Sequence, residues 1–493
     1  MRSSTLVKKS QSEGLKWVCS ECVQEAHLQK LIQLKRAGKC SYCGERNVPR
    51  IGLEDLADLV EAAFETHYER TADEPNGYEW ALMRDKELDY DWEREGEPVR
   101  DLIGQILECE AEVAEDVHRL LREKHDRYIP GDGYEGECEF ADEAFYEEKA
   151  ASTSAWEERW NRLEHSLKHE SRLFNQDVLE LFQSVFAGLD NVSSYSRDLA
   201  IVQAGPGCDI DHLYRAREFQ SAESLKDALQ RPVEALGPPP GQSTRANRMN
   251  SSGVSVFYGA REARSALAEV RPVVGSKVVV AKFSIIRSLQ LLDLRVLGRL
   301  TCRGSVFDPT YGAELERQGF LRILSRRLVL PVMPSEQDHA YLITQAVADY
   351  LSSQQSPTVD GIIFSSVQDG VGVNVVLFHK ASLVEPLGLP KETRLAAEVE
   401  DFDHETGTAY PSYWLQVDKP SDLIEESPSL LPHIVSWDWD THYAKCREPA
   451  LRLELEAISV HAIKAVEVKD EVQGVTVSYG TYDKHGDSAF DRF

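Results

Sequence analysis

Two pairs of cysteines, Cys19-Ser-Glu-Cys22 and Cys40-Ser-Tyr-Cys43, stand near the start of this chain with 17 residues between them. Two such knuckles can bring four thiolates to the corners of a tetrahedron, the arrangement that zinc takes from an all-sulfur ligand set. Gly44 suits the tight turn of the second knuckle. Between the pairs, Leu28, Leu31, Ile32 and Leu34 recur at near-helical spacing, which predicts a short helix ending at Gly38. A redox Cys-x-x-Cys would follow a strand in a thioredoxin-like setting, and none is visible here. With Cys19, Cys22, Cys40 and Cys43 filling all four positions, no open coordination site is left, so the expected zinc is structural. The remaining five cysteines (Cys109, Cys138, Cys208, Cys302 and Cys446) lack motif spacing and read as reduced thiols.

A chain of 493 residues has room for about three domains. No stretch approaches the roughly 20 apolar residues of a membrane helix. The opening MRSSTLVKKSQSEGLKW has basic residues but no apolar block behind it, so it does not read as a secretory signal. A cytoplasmic location without membrane association is expected. The net charge of −28 argues against general affinity for nucleic acid or anionic membranes. That charge is unevenly spread. Residues 51–150 carry 32 acids and 10 Lys/Arg, a balance of −22, whereas residues 201–300 carry 14 Lys/Arg and 9 acids, a balance of +5. Zinc ribbons often bind nucleic acid, but the acidic stretch that follows this one disfavours it. The basic segment suits a small anionic ligand.

Residues 51–195 read as an acidic helical domain. Leu53, Leu56, Leu59, Val60, Ala63 and Phe64 form one apolar stripe; Leu102, Ile103, Ile106, Leu107, Val113, Val117, Leu120 and Leu121 form a second. Trp156, Trp160, Leu163, Leu167, Phe174, Val178, Leu181 and Phe182 form the third and longest. The Gly- and acid-rich stretch 128–150 reads as a surface loop. Arg162 and His169, with Arg159 and His165 overlapping them, match the Arg-x(4–6)-His spacing of the RNase motif in helical HEPN domains. A cation beside a general base can activate a 2′-hydroxyl. The same residues also read as the solvated face of a long helix, and RNA would have to approach an anionic surface.

From about 205 to 385 the pattern becomes α+β. KVVVAKFSII, GIIFSS and VNVVLF are rich in β-branched residues and read as strands, REARSALAEV and HAYLITQAVADYL as helices, and GPPPGQ (237–242) as a rigid loop. Four polar residues punctuate this module beside apolar runs: Arg215 in LYRAR, Tyr258 in VFYGA, Glu269 in ALAEVRP and Ser366 in GIIFSSVQ. Beyond 386 the chain turns polar and then alternates in LRLELEAISVHAIKAVEV and GVTVSYG, as edge strands or a hairpin do.

LYRAR, the RMNSSG loop with VFYGA, ALAEVRP, the LITQAVADYL helix and GIIFSSVQ with VNVVLF follow one another as they do in the RES domain. This is the toxin half of bacterial RES–Xre toxin–antitoxin pairs, which the segment closely resembles. The Arg, Glu and Ser that name the family fall on Arg215, Glu269 and Ser366. The resemblance implies a fold similar to ADP-ribosyltransferases and degradation of NAD. One departure is Ser365, where members often have a proline. The order of four cysteines, acidic helices and quartet likewise resembles the HEPN-like domain fused to some RES domains. The expected layout is therefore a zinc module (1–50), a HEPN-like helical domain (51–195), a RES domain (205–385) and a β-rich extension (386–493).

NAD cleavage needs a phosphate anchor, a platform for the nicotinamide ring and a carboxylate near the ribose. Arg215 suits the first through its planar fork, Tyr258 the second and Glu269 the third. Ser366 could hold the ribose or the carboxamide, and Arg248 and Asn250 are candidates for further phosphate or ribose contacts. The reading is of an NAD glycohydrolase acting as a toxin or stress effector. ADP-ribose transfer to a macromolecule, or a non-catalytic zinc- and partner-binding protein, are the alternatives. An antitoxin or other protein partner and self-association are left open. Many members are much shorter, so the roughly 200 residues ahead of the module suggest control from within the chain.

Overall fold

The computed structural model describes residues 15–85, 90–125, 139–170, 172, 174–333, 336–389, 393–402, 409–418, 447–467 and 470–477. Cys138 and Cys446 lie outside the described residues, as do the VSWDWD stretch and the C-terminal HGDSAFDRF.

The chain opens with β1 (Trp17–Cys19), α1 (Ala26–Gln33), β2 (Ala37–Gly38) and β3 (Val48–Gly52), the strands pairing in the order β1-β3-β2. Leu28 and Ile32 are fully buried, but Leu34 is 85% exposed. Helix α1 therefore stops at Gln33, short of the expected Gly38, because residue 37 enters a ladder with Pro49. Next come α2 (Leu53–His67), β4 (Tyr68–Arg70), α3 (Gly77–Arg84), β5 (Glu97–Pro98), α4 (Val99–Leu107), α5 (Ala111–His125) and β6 (Phe145–Glu148). The second predicted stripe splits into α4 and α5, since Glu108 takes a left-handed conformation (φ 49°) that ends α4. Strands β4, β5 and β6 form a small sheet unforeseen in the helical reading, and β6 falls within the stretch expected as loop. Cysteine module, α2, α4 and α5 share one core, which Phe307 from the far side of the chain completes.

Asp116 fastens the cysteine module to α5. It is 8% exposed and accepts hydrogen bonds from Tyr42 of the second knuckle at 2.9 Å, from Arg119 at 2.7 Å and from Lys16. Burial alone would raise its pKa, but the Lys16, Arg119 and Tyr42 donors outweigh burial and hold the carboxyl below the usual range.

Helices α6 (Ser154–His169) and α7 (Gln176–Val185) take up the third stripe, with a break in which Phe174 has φ 58° and points wholly into solvent. Trp160, Leu163, Phe182 and Phe186 do not join the preceding helices. They pack with Leu292, Ile362 and Val376 of the large sheet.

That sheet is built from β7 (Ile201–Ala204), β8 (His212–Phe219), β9 (Phe257–Ala260), β10 (Lys277–Ile285), β11 (Leu289–Asp293), β12 (Gly361–Ser365), β13 (Val373–Leu377), β16 (Leu451–Leu453) and β17 (Ser459–Ala462). Its order is β16-β10-β8-β9-β13-β12-β11-β7, with β17 on the same edge of β10 as β16; only β11 and β12 run parallel. One face carries α6, α7, α12 (Tyr311–Arg327) and α13 (Gln337–Ser353). The other carries α8 (Ala222–Gln230), α9 (Pro232–Leu236) and the hairpin of β14 (Arg394–Phe402) and β15 (Ala409–Asp418). Because both faces are covered, β12 and β13 read as continuous apolar runs rather than alternating ones. Two short helices, α10 (Ala263–Glu269) and α11 (Leu294–Leu297), follow β9 and β11. The β-rich character expected after 386 is present, though GVTV (474–477) is not in a strand. No helix among the described residues is long and apolar enough to cross a membrane.

Because the folded Asp116 carboxyl titrates lower than in the unfolded chain, its stabilisation is present above the unfolded pKa and fades as pH falls through the folded one. Asp116→Ala should cost about 2 kcal/mol at pH 7. The cost should shrink towards pH 3, as read by urea unfolding at both values.

Candidate functional site

The large sheet parts between β8 and β9. Their ladder consists of one pair, Tyr214↔Ala260, after which the strands diverge. Gly259 permits this crossing, since a Cβ there would lie 2.7 Å from the Phe257 ring and 3.1 Å from the Tyr214 carbonyl. In the gap, Arg215 Nη1 donates to the Tyr258 carbonyl at 3.1 Å, taking the place of a ladder bond, while its guanidinium lies 5.3 Å from the Phe257 ring centre. No carboxylate among the described residues pairs with Arg215. Burial, with help from Arg217, lowers its pKa to about 10, so it remains a cation at neutral pH.

Below the gap lies a cavity of about 290 Å³, lined by Tyr214, Arg215, Asn247, Tyr258, Glu269, Phe364 and Asn374. Helix α10 delivers Glu269 from its last turn. Glu269 Oε1 accepts from Ser366 Oγ at 2.6 Å and from Asn374 Nδ2 at 2.7 Å. No donor among the described residues reaches Oε2. Strand β12 runs through Ser365, opposite Val373, and Ser366 N then donates to the Gly372 carbonyl at 2.7 Å. The same turn is tied back to α10, because Ser265 Oγ donates to Asp369 Oδ2 at 2.5 Å and Asp369 Oδ1 accepts from Gly372 N at 2.7 Å. Gly372 must be glycine, as a Cβ would meet Ser265 Oγ at 2.0 Å.

Tyr258 presents its ring to the cavity and anchors its hydroxyl away from it. The hydroxyl accepts from Met249 N at 3.1 Å and donates to Asn250 Oδ1 at 3.2 Å. Burial pushes the phenol up to about 12, so it stays protonated. Arg215, Tyr258 and Glu269 thus converge on one cavity, with Ser366 behind Glu269. Arg248 and Asn250 do not line it. Arg248 Nη1 donates to the Leu328 carbonyl at 2.9 Å, and the Asn250 amide is used within its loop by the Arg245 and Ser251 carbonyls. Their loop is held by α13, whose Gln345 Nε2 donates to the Asn247 and Asn250 carbonyls at 2.9 and 3.0 Å. Asn374 escaped the sequence reading. The signal was a lone Asn within an apolar strand, where this residue type is depleted.

In the cysteine module the four Sγ atoms lie within 4.8 Å of one another, with Cys19–Cys22, Cys19–Cys43 and Cys22–Cys40 at 3.7, 3.6 and 3.8 Å. A tetrahedral site with metal–sulfur bonds of about 2.3 Å has sulfurs about 3.8 Å apart. The four cysteines therefore fit one metal ion. Burial raises Cys40, but the Tyr42, Cys43 and Cys19 backbone amides reverse this and bring the thiol to about 7; burial and its neighbours push Cys22 up.

The Arg-His pattern of α6 is on its outer face. Arg162 pairs loosely with Glu158 at 3.8 Å, Arg159 lies over Trp156, and the His165 and His169 rings are 4.8 Å apart. Arg159, Arg162 and His165 line an open groove against α7, and His169 is outside it.

Residues 212–394 match the family model of the RES domain, and the chain therefore carries a RES domain. No curated protein and no solved structure matches the chain. The match spans Arg215, Tyr258, Glu269, Ser366 and Asn374 and leaves the cysteine module and α2–α7 outside it.

Tyr258→Phe removes the hydroxyl that joins β9 to the Met249–Asn250 loop. It should lower the unfolding free energy by about 1 kcal/mol in urea titration, with the ring still facing the cavity.

Proposed function

We propose that the cavity between β8 and β9 binds NAD and cleaves its nicotinamide–ribose bond. The observation that carries this reading is a cation without an acid partner among the described residues, Arg215, facing the same cavity as an oriented carboxylate, Glu269, with an aromatic wall between them. Its volume is near the lower end of the ~300–1,000 Å³ usual for small-molecule sites, and suits the nicotinamide–ribose half with the phosphates towards Arg215.

Arg215 anchors the pyrophosphate as a planar donor. Tyr258, its hydroxyl already engaged, offers the ring face to the nicotinamide. Glu269, with Oε1 fixed by Ser366 and Asn374, directs Oε2 at the ribose, where it stabilises the oxocarbenium charge and orients water. Water adds to the ribosyl carbon as the bond to nicotinamide breaks, giving ADP-ribose, nicotinamide and one proton. Arg248 and Asn250 support the site by holding Tyr258 and its loop. The RES match favours a toxin or stress effector acting in the cytoplasm, for which an antitoxin is a plausible partner.

Zinc is the metal that four thiolates at these distances select, and it acts as a structural staple. Through Tyr42 and Asp116 it steadies the acidic helices.

Purified protein should release nicotinamide and free ADP-ribose from NAD, and Glu269→Gln should slow this by about 10²–10³. Label transferred to a macromolecule would replace hydrolysis by ADP-ribose transfer, and no nicotinamide from either protein would reject the enzyme. Metal analysis should find about one zinc per chain, and Cys40→Ser should lose it together with stability. A normally folded, metal-free wild type would remove the zinc assignment.

A further inference from the structure

Asn374 has an unanswered hydrogen-bonding group beside the acid of the site. It is 5% exposed, lines the cavity and uses Nδ2 to hold Glu269 Oε1 at 2.7 Å, while its buried Oδ1 has no partner among the described residues. The orientation follows from the chemistry. An ionised carboxylate only accepts, so the NH₂ end of the amide must face Glu269 and the oxygen must turn away. Folded proteins leave few buried acceptors unpaired. The neighbouring hydroxyls cannot supply a donor, because Ser366 Oγ donates to Glu269 and Ser265 Oγ to Asp369. Asn374 also occupies the register opposite Ala260 and Phe364, on the face where Val376 packs into the core. An apolar residue would suit packing there better.

We infer that Asn374 both positions Glu269 and selects the ligand: its N–H fixes the carboxylate, and its oxygen receives a hydrogen bond from a neutral donor on the substrate. This rests on the NAD reading for the identity of that donor, which is either a ribose hydroxyl or the carboxamide N–H of nicotinamide. Among the described residues, the charged and titratable groups around Glu269 include Tyr214 and Arg215 from β8, Arg248 from the loop before β9, Tyr258 from β9 and Asp369 from the β12–β13 turn. All are retained when residue 374 is changed.

The positioning half is tested without substrate. In full-length protein labelled with carboxyl-¹³C glutamate, the Glu269 titration is isolated as the difference from Glu269→Gln. Asn374→Asp places a second carboxylate against Oε1, and two carboxylates in contact do not both ionise, so the midpoint should rise by about one unit or more. Asn374→Leu, which keeps the branching and the number of heavy atoms and removes the donor, should raise it by less. A midpoint unchanged in both folded variants would overturn the positioning role, since a merely structural residue moves stability and leaves this titration alone.

The selection half compares NAD with an acetylpyridine analogue lacking the amide N–H and with analogues lacking a ribose hydroxyl. If Asn374→Leu abolishes discrimination against the acetylpyridine analogue, the donor is the carboxamide. If it abolishes discrimination against a deoxyribose analogue, the donor is that hydroxyl. Discrimination against both retained in the variant overturns selection. A wild type that never releases nicotinamide rejects the NAD reading, while the titration still decides whether Asn374 positions Glu269.

Discussion

A sheet that opens between two strands leaves backbone groups without ladder partners, and here one guanidinium answers for the opening. Arg215 reaches from β8 to the Tyr258 carbonyl of β9, so the gap is held open by a side chain rather than closed by main chain. The cost is a cation lodged among Phe257, Tyr258 and their neighbours with no carboxylate paired to it among the described residues. That cost becomes useful if an anion enters. The cavity, the aromatic wall and the placement of Glu269 on the helix after β9 all depend on this parting of the sheet.

The acid of the site is set with similar economy. Oε1 is held from two strands, by Ser366 at the end of β12 and Asn374 on β13, and the β12–β13 turn is itself strapped to α10 through Asp369 and Ser265. Helix α10 has only two turns, too short to be rigid alone. Its orientation comes from these cross-links. At the other end of the chain, four sulfurs fix Tyr42, which donates to Asp116 while Lys16 and Arg119 balance its charge inside the most acidic part of the molecule.

The residues that converge were legible because each stood in a recognisable segment in a fixed order. Arg215, Tyr258, Glu269 and Ser366 meet within one pocket or directly behind it, and the four cysteines meet at metal-binding distances. Asn374 was hidden because its meaning lies in a partner 105 positions away, which no local pattern encodes. Helical stripes were readable as stripes but not as helices of given length. Their breaks fall at Glu108 and Phe174, non-glycine residues in left-handed conformations that carry no breaker signal. The short strands β4 to β6 pair residues far apart in sequence and have too few residues to show alternation. The alternating segments near residues 451–462 were recognisable as strands, yet their shared partner, β10, was not.

The extent of the family match and the extent of the folding unit are different quantities. Helices α6 and α7 begin well before residue 212 and cover Leu292, Ile362 and Val376; β16 and β17 lie well beyond residue 394 and cover the edge of β10. A fragment cut at the boundaries of sequence similarity would expose an apolar face on one side and a bare strand edge on the other, an invitation to aggregate. The flanking elements are the domain's walls, and an excised fragment would have to carry them with it.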